Sequence, residues 1–302
     1  MSFNVTILGS NSALPAHGRH PSSQLLTIDH HEILMDCGEG TIFRLNDLKL
    51  SKMKIEAIFI SHLHGDHVYG LPGLVTSLIL MGRKDSLTII GPIGIKKMME
   101  QVLESSWTRL NYPLEFIETN PEKQEIVFYT PAYTVETIPL KHKIPCNGYL
   151  FRQQQKPKNI REEIVLAYQL NPLQIKNLKS GMVVDTPQGT LHPEDVLYVK
   201  HTAKSYAYCS DTVYLPSIIP IIKDVDLLYH EATYLDDFEE KAKERGHSTA
   251  RQAGMLARQA GVKKLLLGHP SSKYANIEAL VKEAQNEFQN TKYATEGLTF
   301  EV

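Results

Sequence analysis

The sequence is short of several things, and each shortage removes a class of protein. It has only three cysteines in 302 residues, Cys37, Cys146 and Cys209, and no CxxC pair. An odd, scattered set excludes a disulfide framework and a cysteine-built structural zinc site, and points to a reducing, cytoplasmic setting. Net charge is almost absent: 32 basic residues against 34 acidic leave −2. With no global basic field, a nucleic-acid partner has to be held by local patches and metal ions. No apolar run approaches the roughly 20 residues that a membrane span needs, so no membrane partner is expected. The first residues, Met-Ser-Phe-Asn-Val, have no charged region and no long apolar stretch, so no signal peptide is expected. Short repeats and low-complexity linkers are also missing, which favours one domain over residues 1–302.

Histidine, by contrast, is plentiful at 13 residues. The stretch 56–73 concentrates it. Residues 57–60 read as a buried strand, and His62, His64, Asp66 and His67 follow at once. Imidazole and carboxylate are the ligands of zinc and similar ions, and four of them within six residues can reach two adjacent points. Gly65 is expected to let the loop turn tightly, and Gly70, Pro72 and Gly73 to break the chain before a helix. A merely solvated histidine-rich loop does not suit a segment that leaves a buried strand.

The rest of the chain alternates in the same way. Strands are expected at 3–8, 23–28, 32–36, 86–90, 114–117, 125–129, 133–140 and 147–152. After an insert they resume at 196–199, 206–210, 225–229, 262–267 and 298–302. Helices are expected at 41–48, 71–81, 95–103, 236–245, 248–260 and 277–288, with Ser248 capping the fifth and Gly261 ending it. Residues 153–194 differ. They are polar, with two short helical stretches (161–168 and 173–178) and the cations Lys156, Lys158, Arg161, Lys176 and Lys179. Charge alone leaves two readings open, a solvated excursion or an arm that touches an anionic partner.

Strand ends elsewhere supply His142, Asp211, His230, Glu231 and His269. In layered α/β folds such ends gather at one site. Five histidines and two aspartates suffice for two metals: His62, His64 and His142 for one, Asp66, His67 and His269 for the other, with Asp211 between them. A hydroxide held by two such ions is nucleophilic near neutral pH.

Ser61-His-Leu-His-Gly-Asp-His67 resembles the signature of the metallo-β-lactamase superfamily. The flanks narrow the resemblance to the ribonuclease Z family of tRNA 3′-processing endonucleases. They are Val68-Tyr-Gly-Leu-Pro-Gly73, Asp36-Cys-Gly-Glu-Gly40, Cys209-Ser-Asp-Thr212, His230-Glu-Ala-Thr233, His247-Ser-Thr249 and His269-Pro-Ser-Ser-Lys-Tyr274. The resemblance implies an α/β fold, a four-layer αββα sandwich with an inserted arm, and a homodimer with two zinc ions per subunit and no organic cofactor. It implies hydrolysis of precursor tRNA 3′ of the discriminator nucleotide, leaving a 3′-hydroxyl, by attack of a metal-bridged hydroxide. It carries over the ligands His62, His64, Asp66, His67, His142, Asp211 and His269. Asp66 would also be the proton acceptor, and His247, oriented by Glu231, would protonate the departing oxygen. His230 is expected to pack behind the site. The insert 153–194 falls where the family places its tRNA-gripping arm, making Lys176 and Lys179 candidate substrate contacts. Lys273, where the family often has arginine, is another. Two other functions fit part of the pattern: a binuclear phosphodiesterase of small phosphodiesters, and a catalytically inactive RNA-binding scaffold.

Overall fold

The computed structural model describes residues 2–302. The chain divides into two compact units, one formed by the residues up to Arg152 together with Lys204–Val302, the other by Gln153–Ala203. Nine strands precede or enter the second unit: β1 (Phe3–Gly9), β2 (Ser23–Ile28), β3 (His31–Cys37), β4 (Ile55–Phe59), β5 (Leu87–Pro92), β6 (Leu114–Thr119), β7 (Ile126–Tyr129), β8 (Tyr133–Pro139) and β9 (Asn147–Gln153). The second unit contributes β10 (Asn159–Ile160), β11 (Val184–Thr186), β12 (Gly189–Leu191) and β13 (Leu197–Tyr198). The chain closes with β14 (Ser205–Cys209), β15 (Leu227–Glu231), β16 (Leu265–Gly268), β17 (Thr291–Tyr293) and β18 (Thr299–Glu301).

The body holds two seven-stranded sheets, ordered β18-β1-β2-β3-β4-β5-β6 and β17-β16-β15-β14-β9-β8-β7. Side chains alternate across each strand, as a two-residue period requires. Ala57 and Phe59 of β4 enter the core between the sheets, whereas Ile58, and Ile60 just beyond the strand, meet the outer helices. In β15, Leu227 and Tyr229 face the inter-sheet core and Leu228 faces the helical layer on the other side. Phe59 anchors the inter-sheet core edge-to-face against Tyr149 and Phe151, with centroids 5.1 and 5.2 Å away. Burying such a ring contributes about 1.5–3 kcal/mol relative to leaving it in water. Helices Leu71–Leu80 and Ile95–Ser105 cover the first sheet, and Ala250–Ala260 and Glu278–Glu287 the second. The architecture is the expected αββα sandwich. Among the described residues no helix is long and apolar enough to cross a membrane.

Three local expectations need correction. Thr249, not Ser248, caps the helix Ala250–Ala260: it accepts from the Gln252 amide in a capping box, while Ser248 Oγ donates to Thr212 O at 2.7 Å. The strand near 197 belongs to the second unit, because β13 pairs with β10. Gly65 does not turn the loop through a glycine-only conformation. It opens a short helix, Gly65–Val68, and a Cβ there would lie 2.3 Å from the Tyr69 ring.

Candidate active site

The site assembles because four chain segments end on one rim of the sandwich. The segment after β4 delivers His62, His64, Asp66 and His67, and those after β8, β14 and β16 deliver His142, Asp211 and His269. Two interlocked glycines seat the first of these. A Cβ on Gly38 would meet Asp66 O at 2.4 Å, and one on Gly70 would meet Gly38 O at 2.2 Å. Only bare backbone lets β3's exit and the histidine loop approach so closely.

The donor atoms fall into two groups. In the first, His64 Nδ1 lies 3.1 Å from His62 Nε2 and 3.2 Å from His142 Nε2. Asp211 Oδ2 lies 3.7 Å from His62 Nε2 and 3.8 Å from His142 Nε2. In the second, His67 Nε2 lies 3.3 Å from His269 Nε2, and each is 3.4 Å from Asp66 Oδ2. Asp211 Oδ1 completes it at 3.6 Å from His67 and 3.2 Å from His269. A tetrahedral ion with ligands at 2.0–2.1 Å has ligand–ligand edges of about 3.4 Å. The separations among His62, His64, His142 and Asp211, and those among His67, His269 and Asp66, are of that size, and Asp211 offers one oxygen toward each group.

Four of the five imidazoles are held on their outer face so that the inner nitrogen points inward. His62 Nδ1 meets Ser61 Oγ at 3.0 Å, His142 Nδ1 donates to Gly246 O at 2.8 Å, and His269 Nδ1 meets Thr233 Oγ1 at 3.1 Å. His67 Nδ1 donates to Asp36 Oδ2 at 2.7 Å. Such outer partners fix the ring's tautomer and raise its basicity as a ligand.

The electrostatics fit a cation as well. Burial and the charge of His67 push the His62 pKa well below the usual imidazole value. Burial and neighbouring imidazoles also lower His64 and His142. Three rings are therefore neutral and keep a lone pair free. Burial opposes protonation of His67 too, but Asp66, Asp211 and Asp36 outweigh it and raise that pKa well above normal. Burial would raise Asp66 and Asp211, yet the surrounding histidines hold both far below the ordinary carboxylate range. The rim thus concentrates negative charge where the inner nitrogens converge, an environment that a divalent cation satisfies. The residues present fit metal ions, and the cluster can bind them.

Beside these groups stands a histidine–carboxylate pair. Glu231 is fully buried and accepts from His247 Nδ1 at 2.9 Å, the Thr212 amide at 2.9 Å and Thr233 Oγ1 at 2.6 Å. Burial lowers the His247 pKa, but the Glu231 and Asp211 carboxylates override it and bring it up to about 9. His230 is buried behind the site, its Nδ1 bonded to Glu231 O at 2.7 Å.

The cleft above has a volume of about 290 Å³, and its lining lysine and arginine are Lys143 and Arg245. Sequence reading missed both, although they flank His142 and His247. Ser271 and Ser272 line it too, whereas Lys273 Nζ sits in an aromatic cage, 3.1 Å from the Phe238 ring centroid and 4.6 Å from that of Tyr274. Also missed was the Ala13 amide, which donates to Asp66 Oδ2 at 2.8 Å. A backbone donor leaves no trace in residue identity. Asp36 and Thr233 lay inside quoted motifs, but only the fold reveals what they hold. Lys176 and Lys179 lie in the last turn of the helix Pro172–Lys179 of the second unit.

Comparison with known proteins gives three kinds of likeness. A ribonuclease Z of Parabacteroides distasonis is 42% identical over 301 residues, covering 99% of both chains. Human tRNase Z, short form, superposes with a TM-score of 0.70 at 25% identity over 98% of each chain. The metallo-β-lactamase fold protein YhfI of Bacillus subtilis superposes at 0.71 and 21% identity over the whole of both chains. The family model described as anti-Pycsar protein Apyc1 matches residues 3–180.

Proposed function

The chain belongs to the ribonuclease Z family, and over residues 3–180 also to that of the anti-Pycsar protein Apyc1, and from that premise we propose a metal-dependent endoribonuclease that cuts precursor tRNA immediately 3′ of the discriminator nucleotide. The observation that carries this reading is the pair of donor groups that share Asp211, with the hydrogen-bonded His247–Glu231 pair beside them. Two zinc ions held there would lower the pKa of water and polarise a phosphoryl oxygen.

The chain's own residues handle the protons. Asp66, turned inward by its bond from the Ala13 amide, accepts the proton of the attacking water. The bond between phosphorus and the ribose 3′-oxygen breaks, His247 Nε2 gives its proton to that oxygen, and the phosphate stays with the trailer. Glu231 holds His247 Nδ1, so the ring presents Nε2 and remains charged near neutral pH. Lys143 and Arg245 neutralise the phosphates that enter the cleft. Lys176, Lys179 and the rest of the second unit grip the tRNA away from the cut, and Lys273 supports the same backbone. The protein works in the cytoplasm as a homodimer.

Incubating the purified protein with zinc and a precursor tRNA, then mapping both product ends, tests the reaction. A 3′-hydroxyl on the discriminator and a 5′-phosphate on the trailer are expected. A scaffold would bind the RNA and leave it intact. Replacing residues 154–203 by a short Gly-Ser linker should abolish that cut while sparing bis(p-nitrophenyl) phosphate. Equal loss on both substrates would overturn the assignment of the arm.

A further inference from the structure

Glu296 is named in no motif, yet two candidate metal ligands depend on what it holds. It lies between β17 and β18, next to Gly297, whose amide donates to Ile7 O at 2.8 Å. Its side chain is only 9% exposed. Oε1 accepts from the Ser10 amide at 3.1 Å and the His20 amide at 2.7 Å, and Oε2 bonds His20 Nδ1 at 2.7 Å. Arg44 Nε stands 3.9 Å from Oε2. Ser10 and His20 are the two ends of the loop that follows β1, so a single buried carboxylate ties the loop shut.

That loop bonds candidate ligands at two points, both in one donor group. Ser10 O accepts the backbone amide of His269 at 2.7 Å. Ala13 donates its amide to Asp66 Oδ2 at 2.8 Å, and does so from φ +55°. A non-glycine residue is strained in that region, so the closed loop has to impose it. His62 and His142 take their outer contacts from Ser61 and Gly246 instead.

We propose that Glu296 is the positioning residue of the second metal subsite: by pinning both ends of the Ser10–His20 loop it sets Asp66 and His269 toward His67, while the His62/His64/His142 subsite stands without it. This rests on the reading of the two donor groups as metal sites, and it adds a separable control of one of them.

The test is zinc uptake rather than turnover. Protein stripped with a chelator is titrated calorimetrically with Zn²⁺, bound zinc is measured after dialysis, and thermal unfolding is followed in parallel. The wild-type chain should take up two equivalents. Glu296→Ala should keep one tight equivalent and bind the second about tenfold or more weakly, the scale of outer-partner losses. Glu296→Gln keeps an oxygen for the two amides but loses its charge toward His20 and Arg44, so it should fall between the two. It serves equally if the alanine variant does not fold. Two equivalents at wild-type affinity in both variants would overturn the proposal. So would parallel weakening of both sites, which a merely structural role produces. A wild-type chain that binds fewer than two ions would instead sink the two-site reading beneath it.

Discussion

His67 and Asp36 form a buried pair in which Nδ1 donates to Oδ2 at 2.7 Å, and neither side chain is exposed to solvent. Asp36 also accepts from the Ser61 amide at 2.7 Å, Ser61 Oγ at 2.9 Å and Tyr208 OH at 2.7 Å. Four donors converge on this carboxylate, from β4's exit, the histidine loop and β14. It therefore orients a candidate metal ligand and stitches the two sheets together.

Asp36→Asn keeps the shape but turns one acceptor into a donor facing donors. Leaving a buried donor unpaired costs about 1–3 kcal/mol. The variant should lose that much stability in urea unfolding and bind zinc roughly 10–100-fold more weakly. Unchanged zinc affinity in a folded variant would show that His67 is oriented by packing alone.

Much of this was legible in residue order. His62, His64, Asp66 and His67 stand out as candidate ligands because coordination needs rare side chains, and four of them follow one strand within six residues. The unbroken apolar run 57–60 declares its strand because burial on both faces needs apolar residues throughout. Other features leave weaker marks. β17 is three residues, Thr-Lys-Tyr, with too little apolar pattern to read, and sheet pairing with β16 alone makes it a strand. Ser248 and Thr249 are equally good caps by type, and only the bond from Ser248 to Thr212 O decides between them. Asp36 and Glu296 act through contacts 25 and 286 residues away in sequence, a distance over which local pattern carries no information.

Gly246 links a backbone conformation to a candidate ligand. It ends the helix Glu239–Arg245 at φ +79°, and its carbonyl accepts from His142 Nδ1. A Cβ there would stand 2.9 Å from that nitrogen. Gly246→Ala should cost about 1 kcal/mol for the backbone and, in addition, displace His142 and weaken the first zinc site. Gly82→Ala is the control: φ is also +79°, but its Cβ meets nothing within 4 Å. It should show the same loss in urea unfolding with zinc binding intact. Equal zinc binding in both variants would contradict the steric argument.

Acid stability should report on Asp226. Burial tends to raise its pKa, but bonds from Lys263 Nζ at 2.8 Å, the Ser205 amide at 2.8 Å and Ser205 Oγ at 3.0 Å lower it overall. A carboxylate whose folded pKa is depressed binds protons more readily when unfolded. Its contribution is therefore full above the unfolded value and fades as pH falls through the folded one. Urea unfolding measured from neutral to acid pH should show a smaller acid-driven loss in Asp226→Asn than in the wild type. Parallel curves would exclude the assignment.

His247 gives the sharpest prediction, because its role depends on the leaving group. The ribose 3′-oxygen departs poorly as an alkoxide and needs a proton as the bond to phosphorus breaks. A p-nitrophenolate departs without one. The 2.9 Å bond from His247 Nδ1 to Glu231 keeps the ring charged, with its pKa brought up to about 9, so the proton is in place at neutral pH. General acid catalysis of this kind is typically worth about 10²–10⁴-fold. His247→Ala should therefore lose that range in single-turnover cleavage of precursor tRNA, and much less on bis(p-nitrophenyl) phosphate. Glu231→Gln should follow the same pattern more mildly, since the amide still accepts from Nδ1 but no longer stabilises the charge. The seven candidate ligands are untouched, so bound zinc should stay at the wild-type level in both variants. Equal losses on the two substrates would mean that His247 shapes the cleft or binds the phosphate, and the proton would have to come from elsewhere.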